Sequence, residues 1–372
     1  MQQTSNSKKV ITDGSRLMIE AMAKAGADAF IGYPITPANL LYSYSASRMP
    51  MMLPAPDEIT TLQWMSGLSA SGKLPVTATS FPGYALMLES INMAFMMELP
   101  MVIILVQRLG PATGTATCGA QGDLALLHGQ ISGGHQLPVL CVSDYEDCWE
   151  ISAEAVKLAE KLRTPVVVLT SKEGVMTQRS FDISLLNDIS PVEKRRYQSD
   201  EPFIPYKADS SLVPEFLELG NKKHQVRITA STHDTKGILQ HSTPEALANT
   251  VRLENKAMHH LNDFTFYHLD EQPDATKLIV AFDISANAAI DAVAQMRQQG
   301  EKVSLLIPKT LFPIPYVYYQ IMDKYQKVIM VEENINAQYA RILFGHRLPG
   351  KIVPVGAIGK MITPHEIING GK

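Results

Sequence analysis

At 372 residues, with 45% apolar side chains and a mean hydropathy near zero, the chain has room for two ordinary domains and the balance of a soluble globular protein. A net charge of -4 leaves no electrostatic footprint for nucleic acid, the polar start argues against a signal peptide, and the apolar runs are too short to cross a membrane. Cys118, Cys141 and Cys148 lack a Cys-x-x-Cys spacing, which points to a reducing, cytoplasmic setting and excludes an iron–sulfur or zinc site built from this chain alone.

In chain order, residues 15–24 read as an amphipathic helix and 27–31 as a buried strand. Gly32-Tyr33-Pro34-Ile35-Thr36-Pro37 follows, then a helix over 38–48. Thr36 before Pro37 has the form of an N-cap with proline at the first helical position. Such a turn sets a hydroxyl and a helix N-terminus at the carboxyl edge of a sheet, where ligands and anions bind. A plain capped βα turn has the same pattern. Pro54-Ala55-Pro56 reads as a rigid linker delivering Asp57-Glu58 to a helix that runs to residue 71. A strand over 76–80, ended by Pro82-Gly83, a helix over 84–97 and a strand over 101–106 come next. The last is continuously apolar, the pattern of a central parallel strand buried on both faces. Strands over 138–142 and 165–169 flank a helix over 150–162. Methionine crowds into residues 49–101, where filling core gaps is its ordinary use. Residues 1–180 therefore predict a doubly wound, mostly parallel α/β sheet.

Residues 181–270 lose periodicity and read as an irregular connector, apart from a helix over 244–261. Residues 271–372 recover it: strands over 278–282, 303–307, 328–332 and 352–355 alternate with helices over 286–299, 315–324 and 337–344. They predict a second, smaller α/β domain.

Thr36, Ser80, and Arg108 with Thr113-Gly114 fall at or just beyond the carboxyl ends of strands, so a parallel sheet could turn them toward one crevice. Arg108 suits a carboxylate, because guanidinium grips it with two parallel hydrogen bonds, though a surface or interface arginine fits the pattern equally well. Asp57 fits a helix cap, which leaves Glu58 free to point elsewhere. Ser80 also reads as a turn former before Pro82-Gly83. Gly119-Ala120-Gln121-Gly122-Asp123 looks like a phosphate cradle but lacks the lysine of a P-loop and the spacing of a dinucleotide fingerprint. His128 and His135 have no metal-binding spacing, and His259-His260 reads as a polar helix end.

These blocks taken together resemble one family. Gly32-Tyr33-Pro34-Ile35-Thr36-Pro37, Asp57-Glu58-Ile59, Ala78-Thr79-Ser80 with Pro82-Gly83, Gln107-Arg108 with Gly110-Pro111 and Thr113-Gly114, Gln121-Gly122-Asp123-Leu124, and His233-Asp234 with Gly237 stand in its order. It is the alpha subunit of the 2-oxoacid:ferredoxin oxidoreductases, nearest the 2-oxoglutarate type. The resemblance implies a thiamine-diphosphate pyrimidine-binding domain followed by a transketolase-C-terminal-like domain. It implies oxidative decarboxylation of a 2-oxoacid to acyl-CoA and CO2, with electrons passing to ferredoxin or flavodoxin. By the same resemblance, Glu58 matches the glutamate that hydrogen-bonds N1′ of the thiamine pyrimidine and favours its imino tautomer, so that no histidine base is needed. Thr36 and Arg108 match the positions that hold the 2-oxoacid carboxylate. Tyr33 and Pro34 match the turn lining the cofactor pocket, with Ser80 beside it.

Two stretches depart from the family pattern. Phe81 adds bulk where a small residue is usual, and residues 129–136 lack an expected Gly-His-Gly-Glu. The chain also has no Gly-Asp-Gly and asparagine pair for Mg2+ and diphosphate, and no cluster cysteines. The resemblance assigns those, with a 4Fe–4S cluster, to a beta subunit; gamma or delta subunits belong to some members. The expectation is half of an active site, active only with its partner and coenzyme A, with no membrane attachment. A non-oxidative, transketolase-like decarboxylase subunit and a non-catalytic assembly subunit are the rival readings. A brown, cluster-bearing partner on co-purification would separate the oxidoreductase from the first rival.

Overall fold

The fold is that of a computed structural model describing residues 7–371. Its strands are β1 (Lys9–Asp13), β2 (Ala29–Gly32), β3 (Met51–Pro54), β4 (Pro75–Thr79), β5 (Met101–Gln107), β6 (Val139–Cys141) and β7 (Pro165–Ser171). Then come β8 (Gln178–Asp182), β9 (Tyr267–Asp270), β10 (Lys277–Ala281), β11 (Val303–Pro308), β12 (Thr310–Phe312), β13 (Lys327–Glu332) and β14 (Ile352–Gly356). A seven-stranded sheet has the order β12-β6-β7-β5-β4-β2-β3, parallel except for β12. A five-stranded sheet has the order β14-β13-β10-β11-β9, parallel except for β9, and β1 pairs antiparallel with β8 as a separate ribbon.

Every residue of β5 and β7 is buried, as strands covered on both faces require. The expected alternation of strands and helices is present in both halves. The differences have local causes. The strand β3, not expected, ends at the sheet edge in Pro54, which had read as the start of a rigid linker; an edge strand tolerates proline. The helix Phe81–Met96 starts at Phe81 because Pro82 and Gly83 form its first turn instead of ending the strand. The helix Tyr145–Leu162 starts five residues before its expected position, since the Asp144 carboxylate accepts the Asp147 N–H at 2.7 Å. Also unpredicted were β1, β8, β9, β12 and the C-terminal helix Pro364–Gly370.

One apolar core runs under both sheets. Leu124 and Leu127 from the first half pack in it with Phe282, Phe312 and Tyr339 from the second. The irregular connector is fastened by charge. Glu98, fully buried, pairs with Arg252 and, at 2.7 Å, with Lys256, both on the helix Pro244–His259. Arg163 adds a third cation and donates to the carbonyls of Pro214 and Glu215 at 3.2 and 2.7 Å. Among the described residues no helix is long and apolar enough to cross a membrane.

Candidate functional site

Parallel strands deliver their carboxyl ends to one rim. In sheet order, the neighbours β5, β4, β2 and β3 are followed by Arg108, Ser80, Thr36 and Glu58 respectively. The chain passes from β2 outward to β3 and then returns to β4 on the other side of β2. That reversal opens a crevice between β2 and β4, the usual place for a ligand in an open α/β sheet. All four candidates thus span three strand spacings, roughly 14 Å.

Glu58 begins the helix Glu58–Ala70. Asp57 is its cap, its Oδ1 accepting the Thr60 N–H at 2.7 Å, and that bond holds the Asp57 carboxyl below the usual carboxylate range. Glu58 is only 7% exposed, and no hydrogen bond reaches its carboxylate from any described residue. The side chain is largely buried, but its carboxylate oxygens still reach the surface, open to a polar partner from outside the chain. Gly83 gives it room: a Cβ at that position would stand 2.5 Å from Glu58 Oε1 and 2.6 Å from its Cγ, and nearer still to Thr79 Oγ1. The Ser80 Oγ is buried and also unpaired, because the helix it precedes takes no side-chain cap from it.

Arg108 is buried just past the carboxyl end of β5, on the same rim. Its Nη1 donates to the Thr36 carbonyl at 2.6 Å, while its Nε has no partner. Burial pulls the guanidinium below its ordinary value and Asp123 pulls it back up. Thr36 does not cap a helix. The helix Asn39–Arg48 begins three residues later behind Ala38, with no side-chain cap, so the N-cap expectation at Thr36 is corrected. Thr36 serves Arg108 through its backbone instead. Tyr33, 41% exposed, and Pro34 stand on the open turn, and among the described residues no hydrogen bond or ring contact ties Tyr33 to Glu58 or Arg108. Phe81 is half-buried at the first position of its helix.

Gly119 to Asp123 is no phosphate cradle: it is a clamp between the sheets. Gln121 Nε2 donates to the Phe282 carbonyl at 2.6 Å, and its Oε1 accepts the Glu333 N–H at 2.7 Å. Gly119 N–H donates to Glu173 at 3.3 Å. Sequence reasoning had given Gly83 and Asp123 no site role, although both lie inside quoted motifs. Among the described residues no group of three or more His, Cys, Asp or Glu could hold a metal ion.

A family of thiamine-diphosphate-binding domains, that of the pyruvate flavodoxin/ferredoxin oxidoreductases, matches residues 20–252, and the pyruvate:ferredoxin oxidoreductase core domain II matches residues 275–346. The chain belongs to this family. The 2-oxoglutarate synthase subunit KorA of Methanothermobacter thermautotrophicus is 29% identical over 93% of each chain. The ketoisovalerate oxidoreductase subunit VorB of the same organism is 30% identical over 81% of this chain and 79% of its own. In three dimensions the chain is similar to the 2-oxoglutarate:ferredoxin oxidoreductase of Magnetococcus marinus, solved with 2-oxoglutarate, coenzyme A and succinyl-CoA. The TM-score is 0.90 at 26% identity, covering 98% of this chain and 64% of that one. This chain therefore spans about two-thirds of the Magnetococcus chain.

In a pyruvate flavodoxin/ferredoxin oxidoreductase domain, the Gly83 contact has a measurable consequence. Gly83→Ala drives a methyl group into Glu58 and Thr79, at a packing cost of about 1–3 kcal/mol. Turnover of the assembled enzyme is expected to fall about 100-fold through misplacement of Glu58, with the 2-oxoacid KM little changed. Steady-state kinetics beside thermal melting would check it; a melting shift with full turnover would sink the assigned contact.

Proposed function

We propose that this chain is the alpha subunit of a thiamine-diphosphate-dependent 2-oxoacid:ferredoxin oxidoreductase, working in the cytoplasm on 2-oxoglutarate. Its segments 1–180, 181–270 and 271–372 then serve as pyrimidine-binding domain, connector and transketolase-C-terminal-like domain. The partner is a beta subunit carrying Mg2+ and a 4Fe–4S cluster, with gamma or delta subunits as further members, ferredoxin or flavodoxin as electron acceptor, and coenzyme A as acyl acceptor. The observation that supports this reading best is the donor-free carboxylate of the largely buried Glu58, on the same rim as Arg108. One is a partner for an aminopyrimidine and the other an anchor for a carboxylate. Support for the substrate comes from the relatives named for 2-oxoglutarate.

The residues present fit the pyrimidine end of thiamine diphosphate: an acceptor without a donor at Glu58, and an orphaned hydroxyl at Ser80. When bound, that cofactor supplies the carbon nucleophile and electron sink for decarboxylation. Glu58 would hold the pyrimidine through a hydrogen bond at N1′, which favours the imino tautomer. Arg108, steadied by the Thr36 carbonyl, grips the 2-oxoacid carboxylate, and the Thr36 hydroxyl is the second contact to that group. Tyr33, Pro34 and Ser80 bound the pocket.

Replacing Arg108 by alanine removes a charge-assisted anchor, an expected KM increase of about 10–100-fold with a smaller change in kcat. An unchanged KM refutes the anchor. The substrate is tested by assaying the reconstituted complex with pyruvate, 2-oxoglutarate and a branched 2-oxoacid. The kinship with the ketoisovalerate enzyme makes the branched acid the second reading, and a higher kcat/KM for it would replace 2-oxoglutarate.

A further inference from the structure

Asp123 stands at the end of the clamp that joins the sheets, 7% exposed. It precedes the short helix Leu124–His128 but caps no N–H there. Its Oδ2 is buried without a hydrogen-bond partner, as is Nε of Arg108. The two side chains act on each other electrostatically, yet they form no direct ion pair among the described residues. Each is thus a buried polar group left without a partner, and the Gln107 side chain, which accepts the Asp123 N–H at 3.3 Å, ties the loop to the residue next to Arg108.

We infer that Asp123 is a positioning residue whose carboxylate competes with the incoming 2-oxoacid carboxylate for the Arg108 guanidinium. The inference rests on the reading of Arg108 as the substrate anchor. An anion arriving at Arg108 enters the field of Asp123 as well. With Asp123 ionised, two carboxylates share one guanidinium and repel. With Asp123 neutral, that repulsion is gone and the guanidinium is left to the substrate. The surroundings favour that neutral form. Burial pushes the Asp123 carboxyl up to about 7, against the opposing pull of Arg108. Arg108 is the one charged group whose field is resolved at Asp123. Behind it, Gln107 Oε1 accepts the Asp123 N–H at 3.3 Å, and Gln107 Nε2 donates to Asp283 Oδ2 at 3.4 Å. Asp283 is itself pushed well above the usual range by burial, against the pull of its hydrogen bond from Ser171 and with Glu333 and Glu173 adding to the rise. Gln121 and Gln338, which fasten the loop to the second sheet, are neutral.

The sign follows. Only the neutral form of Asp123 accepts substrate readily, so the apparent KM rises as that fraction falls. In the assembled holoenzyme, the wild-type KM for 2-oxoglutarate is expected to be flat below about pH 7 and to climb toward about tenfold per pH unit above it. Asp123→Asn keeps the shape and removes the charge. Its KM is expected to stay near the low-pH wild-type value throughout, making the variant the better binder in alkali. A merely structural role would lower stability or kcat without straightening the KM–pH curve. A flat wild-type profile overturns the inference without any variant, and so does an Asp123→Asn enzyme whose KM climbs as steeply as the wild type. Arg108→Ala separates the two levels. If it leaves KM unchanged, the substrate anchor itself is wrong. If it raises KM while the wild-type profile is flat, the anchor stands and only the competition falls.

Discussion

Replacing Glu58 by alanine is expected to lower turnover of the reconstituted complex by about 10²–10⁴-fold, the usual worth of a positioned acid–base group. The fold should survive. No hydrogen bond engages the Glu58 side chain among the described residues, and the helix start is held by Asp57, whose carboxylate accepts the Thr60 N–H. The complementary variant, Asp57→Ala, should do the reverse: it loses the cap, about 1 kcal/mol, and leaves most turnover intact. Paired measurements of kcat and melting temperature on both variants are the check. If Glu58→Ala turns over normally with cofactor saturating, the pyrimidine contact lies elsewhere and the reading of the site fails.

The second large effect lies far from the chemistry. Glu98→Gln is expected to destabilise the chain by about 3–5 kcal/mol, because it leaves Arg252, Lys256 and Arg163 buried together without their anion. Desolvation pushes Glu98 up, but those three cations outweigh it and hold the carboxyl down at about 2, from 4.5. A folded-state value below the unfolded one means stability that is present above about pH 4.5 and lost as pH falls toward 2. Acid unfolding of the wild type should therefore steepen in that window, and the Glu98→Gln protein should lose that component. Denaturant melts at neutral and acid pH measure both. Equal stability of variant and wild type would show the cluster to be a spectator. The same network explains how a connector with little regular structure stays in place: Arg252 also donates to the Leu212 carbonyl at 2.8 Å, and Lys256 to that of Arg163 at 3.2 Å.

Much of this was legible in one dimension. The strands β5, β7, β10 and β13 were expected because continuous apolar runs of their length have few other uses. The split between Asp57 as cap and Glu58 as the free acid was also readable, since capping is decided within three residues. The misses were where a neighbour in space overrode a local signal. The edge strand β3, half-exposed and proline-ended, takes its identity from pairing with β2. The strand β12 lies late in the chain and joins the first sheet by pairing antiparallel with β6. Thr36 looked like a cap, yet the helix begins beyond it and its carbonyl serves Arg108.

By itself, then, the order of residues determined the kind of elements, their alternation, the family blocks and the identity of the acid at position 58. Those depend on interactions spanning a turn or two of chain, which a linear pattern records. Only the tertiary structure decided that β5, β4, β2 and β3 are neighbours and that Gly83 makes room for the Glu58 side chain. It alone set Asp123 within the field of Arg108. Strand order and side-chain approach come from how crossovers pack around a shared core, and that energy belongs to pairs of residues too distant in the chain for any local pattern to join.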